Sequence, residues 1–288
     1  MREGERMPFE LYPADSYLDY PAVLSWCEKL CLTHPEWFSL TEIGRSRSGR
    51  PLILVTVGDR RSGGEPGRRP AVWLDAGTHA TEWAGVMSTL FTLSRWVEQI
   101  MGGDESFSRQ TAYVLPCMSP DGFQATMEGA PYIRSTLRPP LPGAAHRVGL
   151  EPQDIDGDGE VLWMRWRHPS GAFVDQGDGL MRSRQITDDP DTAYIVCSEG
   201  LFLDWDGHRW RQAPLRFGQD LNRNFSGSWA PFGMFGMDAG SYALSEPESR
   251  AATDALAART NIGAVVSNHT YTGALLTQPY RADTPLSD

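Results

Sequence analysis

The strongest constraint in this chain is a short run with almost no polar residue, "AVWLDAG" (71–77). It is followed at once by "TEWAGVMSTLFTLSRWVEQI", in which apolar residues recur at helical spacing. A strand that is apolar on both faces needs cover on both faces, so it belongs in a sheet overlaid by helices. The same succession recurs. In "SYLDYPAVLSWCEKLCL" (16–32), Leu18, Val23, Leu24, Cys27, Leu30 and Cys31 fall at helical spacing. "FSLTEIGRSRSGRPLILVTVGD" reads as a strand, a Gly-containing turn and a second strand. "TAYVLPCMSPDGF" reads as strand then turn, "SEPESRAATDALAAR" as a helix, and "IGAVVSNHTY" as another buried strand. Strands alternating with helices predict an α/β fold with a mixed, largely parallel sheet. Residues 139–217 break that rhythm. They are rich in Pro, Gly, Asp, Arg and Trp, with strand-like runs "VLWMRW" and "AYIVC", and read as a long insertion of hairpins and loops rather than a second domain.

The 288 residues carry a formal net charge of -11. That argues against a general nucleic-acid binder, which needs a dense basic footprint. The one basic stretch, "RRSGGEPGRRP" (60–70), is punctuated by Gly and Pro and reads as a solvated loop. No run approaches the roughly 20 apolar residues of a membrane helix. "MREGERMPFELYPADS" holds no apolar signal core. Cys27, Cys31, Cys117 and Cys197 form no CxxC pair and are expected to be reduced and buried, which points to a cytoplasmic setting.

The chemistry centres on "DAGTHATEWAG" (75–85), where His79 and Glu82 are three positions apart. Zinc hydrolases hold the ion with His and carboxylate ligands and leave a position open for water. Two ligands at i and i+3 on a helical turn share one face. The segment also follows the carboxyl end of a strand, where α/β sheets place their sites. The spacing alone is weak, since a His near an acidic first helical turn is ordinary. A third ligand must come from another strand end, and His269 in "IGAVVSNHTYTG" is so placed. His34, His146, His168 and His208 lie in loop-like or insertion sequence and read as surface or structural residues.

The order of HxxE, "SPDGF", "GQDLNRNF" and "SNHTY" resembles the zinc carboxypeptidase family, the carboxypeptidase A and B type. "EIGRSRSGRPLILVTVG" looks like the family's N-terminal hairpin, "GTHATEW" like its HxxE segment, and "SEPESRA" like the helix before its last ligand. The resemblance covers most of the chain. It implies a three-layer α/β/α domain and hydrolysis of the C-terminal peptide bond of peptides or proteins. It implies one Zn²⁺ held by His79, Glu82 and His269, with Asp220 fixing the tautomer of His79. Asn222 and Arg223 would hold the free C-terminal carboxylate, a task that suits the planar guanidinium fork. Arg134 in "PYIRSTLR" aligns with the arginine that stabilises the oxyanion, and Arg138 is its rival for that place.

The chain also departs from the family pattern. The family's general-base glutamate lies on a strand well past the last zinc ligand. Here "TYTGALLTQPYRADTPLSD" follows His269 and contains no Glu. The chain is therefore read as the C-terminally incomplete part of such an enzyme. An amidase or deacylase on the same scaffold, and a non-catalytic relative that binds zinc and peptide ends, remain as alternatives. Glu246 and Glu248 in "SEPE" are expected to form a capping box with Pro in the first turn. Thr81 stands where many members of the family have Arg, and the long insertion looks more like bacterial relatives.

"DIDGDGE" (154–160) matches the first half of an EF-hand loop through Asp154, Asp156, Asp158 and Gly159. A full loop needs a bidentate Glu at position twelve, where this chain has Arg165. The stretch is either a partial Ca²⁺ site or an acidic turn between two short strands.

Overall fold

Asp19 opens the first helix, α1 (Tyr20–Thr33): its carboxylate accepts the Ala22 amide at 2.9 Å, and Pro21 presets the first turn. The structure, a computed structural model, describes residues 9–61, 65–130, 133–136, 149–177, 179–203, 219–227, 229, 239–240, 242–270, 273 and 275. After α1 come β1 (Phe38–Arg45) and β2 (Pro51–Val57), an antiparallel hairpin. Next are β3 (Ala71–Ala76), α2 (Trp83–Met101), α3 (Ser106–Arg109), β4 (Thr111–Leu115) and α4 (Pro120–Met127). The insertion supplies β5 (Gly149–Pro152), β6 (Trp163–Arg167), β7 (Phe173–Asp175), β8 (Met181–Ser183), β9 (Ala193–Ser198) and β10 (Gly200–Leu203). A short 3-10 turn (Leu221–Arg223), α5 (Pro247–Ala257) and β11 (Ile262–Asn268) follow.

The central sheet has the order β1-β2-β4-β3-β11. It is mixed: β3 is parallel to both β4 and β11, while β2 is antiparallel to β1 and β4. Strand alternation sorts its residues into two cores. Ile53, Val55, Val57, Leu74, Ala112 and Val114 face one side, where Leu90 and Leu93 of α2 and Leu30 of α1 pack on them. Leu54, Trp73, Tyr113 and Leu115 face the other, against Ala252 and Ala255 of α5. The near-continuous apolar strands are thus explained by helices on both faces, giving an α/β fold in three layers. Burying one such leucine is worth roughly 1.5–3 kcal/mol.

Within 139–217 the described residues form two small sheets apart from the main one. One pairs β10 with β5, and the other has the order β6-β9-β7-β8, all antiparallel. The strand-like runs "VLWMRW" and "AYIVC" are partners, with Trp166 opposite Ile195.

Four local expectations change. "SPDGF" does not end in a simple turn: Pro120 opens α4, with Ser119 before it. Helix α2 begins only after Glu82, so His79 and Glu82 lie on the turn leading into it. "SEPE" is not a capping box. Glu246 makes no side-chain cap, and Glu248 is fully buried and accepts from elsewhere in the fold. β11 is not buried: Val265 and Val266 are 53% and 47% exposed, because among the described strands it pairs on one side only. Cys27, Cys117 and Cys197 are buried and unbridged, and Cys31 is unbridged and half-buried. No helix among the described residues is long and apolar enough to cross a membrane.

Candidate metal centre

The loop after β3 turns at Gly77, which has φ 67°. A Cβ there would lie 2.9 Å from Val86 and 3.0 Å from the Cys117 sulfur, so only glycine lets the chain tuck between α2 and the end of β4. His79 and Glu82 follow, both buried. β11 runs parallel to β3 with Asn268 opposite Ala76, so the next residue, His269, emerges beside the same loop. Three side chains converge. His79 Nδ1 lies 2.7 Å from Glu82 Oε1, His269 Nδ1 lies 2.9 Å from Glu82 Oε2, and the two Nδ1 atoms are 3.1 Å apart.

The far nitrogen of His79, Nε2, lies 3.3 Å from Asp220 Oδ1, and among the described residues it has no hydrogen-bond partner. The contact is too poorly aligned to be a full hydrogen bond, but among the described residues it is the only acceptor offered to that nitrogen. A proton on Nε2 leaves Nδ1 as a lone pair aimed at a carboxylate oxygen and at another imidazole nitrogen. Without a cation, that arrangement sets acceptor against acceptor. A divalent ion with nitrogen and oxygen ligands relieves it, and one face stays open because His269 is exposed. The titration tendencies agree. Burial should lower the His79 pKa, but the carboxylates of Asp220 and Glu82, one beside each ring nitrogen, outweigh it and raise it. Burial should raise Glu82, yet hydrogen bonds from His269 and His79 bring it down to about 2. The pocket as built attracts positive charge.

Asp220 joins two parts of the site. It starts the 3-10 turn, where Oδ1 accepts the Asn222 amide at 2.9 Å. Its Oδ2 lies 3.4 Å from Arg134 Nε. Burial opposes the charge on Asp220, but His79, Arg134 and Arg223 hold its pKa below the ordinary carboxylate value. Arg134 sits beside the metal loop because its carbonyl accepts the Ala80 amide at 2.8 Å. Asn222 and His269 line one cavity of about 340 Å³ with Trp73, Asp75, Met118 and Val265. Arg223 is half-buried, and its guanidinium donates to the Asn222 carbonyl at 3.0 Å. Arg138 lies outside the described residues.

Asp75 was not singled out by sequence. It is buried in the cavity wall and accepts from Trp73 Nε1 at 2.8 Å and Ser267 Oγ at 2.7 Å. Burial pushes its carboxyl up, against those hydrogen bonds. The only signal was one acid inside an otherwise apolar strand.

Asp154, Asp156 and Asp158 also come together, largely exposed. Asp154 accepts the Gly157 and Gly159 amides, Asp156 accepts that of Asp158, and Asp158 accepts that of Glu160. An acidic turn that caps its own backbone accounts for these carboxylates without an ion.

Residues 23–287 match the family profile described as zinc carboxypeptidase. Carboxypeptidase B of Astacus astacus is 31% identical over 111 residues, which are 38% of this chain and 35% of that protein. Mast cell carboxypeptidase A of Mus musculus is 31% identical over 112 residues, 37% of this chain and 25% of that protein. The crystal structure of carboxypeptidase A from Helicoverpa armigera superposes with a TM-score of 0.59 at 18% identity, covering 90% of this chain and 47% of that one. The matched stretch thus spans about a third or less of these curated relatives, and about half of the solved structure.

Proposed function

The chain belongs to the zinc carboxypeptidase family, and on that premise we propose that it serves a metallocarboxypeptidase that removes C-terminal residues from peptides or proteins. The observation that carries this reading is the convergence of His79 Nδ1, His269 Nδ1 and both Glu82 oxygens, with Asp220 behind one ring and Arg134 beside it.

His79, Glu82 and His269 would hold one zinc ion. Zinc bound there would polarise the scissile carbonyl and acidify a water molecule. Asp220 keeps the His79 proton on Nε2, so that Nδ1 is free to ligate. Arg134, held by Asp220, presents a fixed cation where negative charge develops on the carbonyl oxygen. Asn222 and Arg223 take the substrate's terminal carboxylate, and Arg223 rewards a free acid over an amide. Attack by water also needs a general base to take its proton.

The test is to load the protein with zinc and offer it blocked dipeptides with free or amidated C-termini. The reading requires release of the last amino acid from the acids and not from the amides. Equal cleavage of both would remove the carboxypeptidase assignment. Binding of the free acid with no cleavage would remove its catalytic part.

A further inference from the structure

Arg134 is carried by a strap, residues 133–136, that has no helix or sheet to fix it. Three consecutive residues anchor it to three different parts of the fold. The Arg134 carbonyl accepts the Ala80 amide at 2.8 Å, which ties the strap to the metal loop. Ser135 Oγ accepts the Leu221 amide at 3.1 Å, and Thr136 pairs antiparallel with Gln219, which ties it to the segment carrying Asp220. Thr136 Oγ1 donates to Glu248 Oε1 at 2.8 Å, which ties it to α5. The same Glu248 oxygen accepts the Arg47 amide at 3.0 Å, so the β1–β2 turn meets the strap at this carboxylate.

Glu248 is fully buried, and its Oε2 has no hydrogen-bond partner among the described residues. The amide of Gln219 is equally buried and has no partner among the described residues. Gln219 stands across the bridge from Thr136, so their side chains leave the same face, and it is on that face that Thr136 reaches Glu248. A buried carboxylate with an open oxygen costs stability, because its desolvation is not offset by a hydrogen bond. An exposed acid would serve the first turn of α5 without that cost. Burial, with Asp121 nearby, also pushes the Glu248 pKa up.

We propose that Glu248 is a positioning residue for the oxyanion arginine: through Thr136 it locks the strap that carries Arg134 against the segment that carries Asp220. The role assigned to Arg134 rests on the carboxypeptidase reading above. Its placement by Glu248 does not.

The experiment compares the zinc-loaded parent with E248A, E248Q and T136V. Amide hydrogen exchange at Arg134, Ser135, Thr136 and Leu221 reports the strap. Affinity for a peptide phosphonate ending in a free carboxylate reports Arg134, and affinity for benzylsuccinate reports the carboxylate site. E248A and T136V should speed exchange in the strap while α2 and β3 stay protected. They should weaken the phosphonate by about 10- to 100-fold, the cost of roughly 1 Å of misplacement, and leave benzylsuccinate within about twofold. E248Q keeps an oxygen for both donors and should behave as the parent. T136V deletes one hydroxyl bond and keeps the test decisive where E248A fails to fold. Unchanged exchange and phosphonate affinity in T136V would overturn the proposal, as would an E248Q as impaired as E248A. A parent that binds neither ligand overturns the functional reading, and exchange then decides the positioning by itself.

Discussion

Asp220 Oδ1 lies 3.3 Å from Nε2 of His79, on the ring edge opposite the nitrogen that faces Glu82. On the proposed reading, this one carboxylate sets which nitrogen of His79 is free for a metal. Replacing it with an amide of the same shape removes the charge that holds the proton on Nε2. D220N is expected to lose about 10- to 100-fold in zinc affinity, the usual cost of losing such a partner. Competition against a chelator of known affinity measures it, and an unchanged affinity would show that Asp220 does not act through His79.

Metal removal should be visible as lost stability. Binding to the folded state alone adds about 2.7 kcal/mol when free zinc is 100 times its Kd. Chelation should therefore lower the Tm of the parent, and zinc should restore it. H79A and H269A each remove one of the converging nitrogens. Their Tm should be insensitive to chelator, and their zinc content should fall well below one per chain. A zinc-dependent Tm in both variants would place the metal elsewhere.

Arg134 and Arg223 should separate in kinetics. Arg134 sits with Asp220 beside His79, whereas Arg223 lies at the end of the 3-10 turn, half-buried next to Asn222. R134A should lower kcat by about 10²–10³, the cost of losing one oxyanion donor. R223A should act chiefly on KM, and its defect should shrink on amidated substrates that offer no carboxylate. If both variants changed only KM, the oxyanion role of Arg134 would fall.

Much of this was legible in the sequence, for a physical reason. His79 and Glu82 are local, and His269 ends an apolar strand, so pattern and motif order located all of them. The layered sheet was legible because two-faced burial leaves continuous apolar runs such as "AVWLDAG". Three features were not legible: the hub at Glu248, the buried Asp75, and the need for Gly122. They depend on contacts between distant residues. Thr136 and Glu248 are 112 positions apart, and Ser267 and Asp75 are 192 apart. Local periodicity carries no trace of such pairs, and an acid in the first turn of a helix reads as a cap until its burial is seen. The exposure of β11 was equally hidden, since composition reports how apolar a strand is and not how many neighbours it has.

Gly122 shows what the "DGF" triplet does. A Cβ at that position would lie 1.7 Å from the Ser135 carbonyl oxygen and 2.9 Å from Ala80. α4 therefore meets the strap's backbone and the Ala80 side chain of the loop at once. Its neighbour Asp121 is buried and accepts from Ser46, Ser48 and Arg50, which fastens the β1–β2 turn to the same place. G122A must push the strap away. It is expected to cost about 3 kcal/mol or more, beyond the usual range for overpacking by one methyl. Any folded fraction should show weakened phosphonate binding. Urea denaturation measures the first effect, and parent-like stability would mean that the strap can move aside freely.

The thiols predict how stability depends on alkaline pH. Burial pushes Cys27 and Cys117 well above the ordinary value of 9.0, and it pushes Cys31 up to about 12 against the pull of Arg60. In the unfolded chain these groups ionise from about pH 9, while the folded chain keeps them protonated. Above that pH the unfolded state binds fewer protons, so the slope of unfolding free energy with pH is negative. The stabilisation is complete below pH 9 and is lost as the pH climbs toward the folded values. Each such thiol contributes about 1.4 kcal/mol per pH unit in that window. Tyr20, also raised by burial from 10.0, adds its share one unit later. The urea midpoint should hold steady from pH 7 to 8.5 and fall steeply from 9 to 11. At pH 8 a thiol reagent should label the buried Cys27, Cys117 and Cys197 slowly in the folded chain and rapidly once it is denatured. A flat midpoint to pH 10.5, or fast labelling of the native protein, would mean that these thiols are not held in the apolar surroundings in which the fold places them.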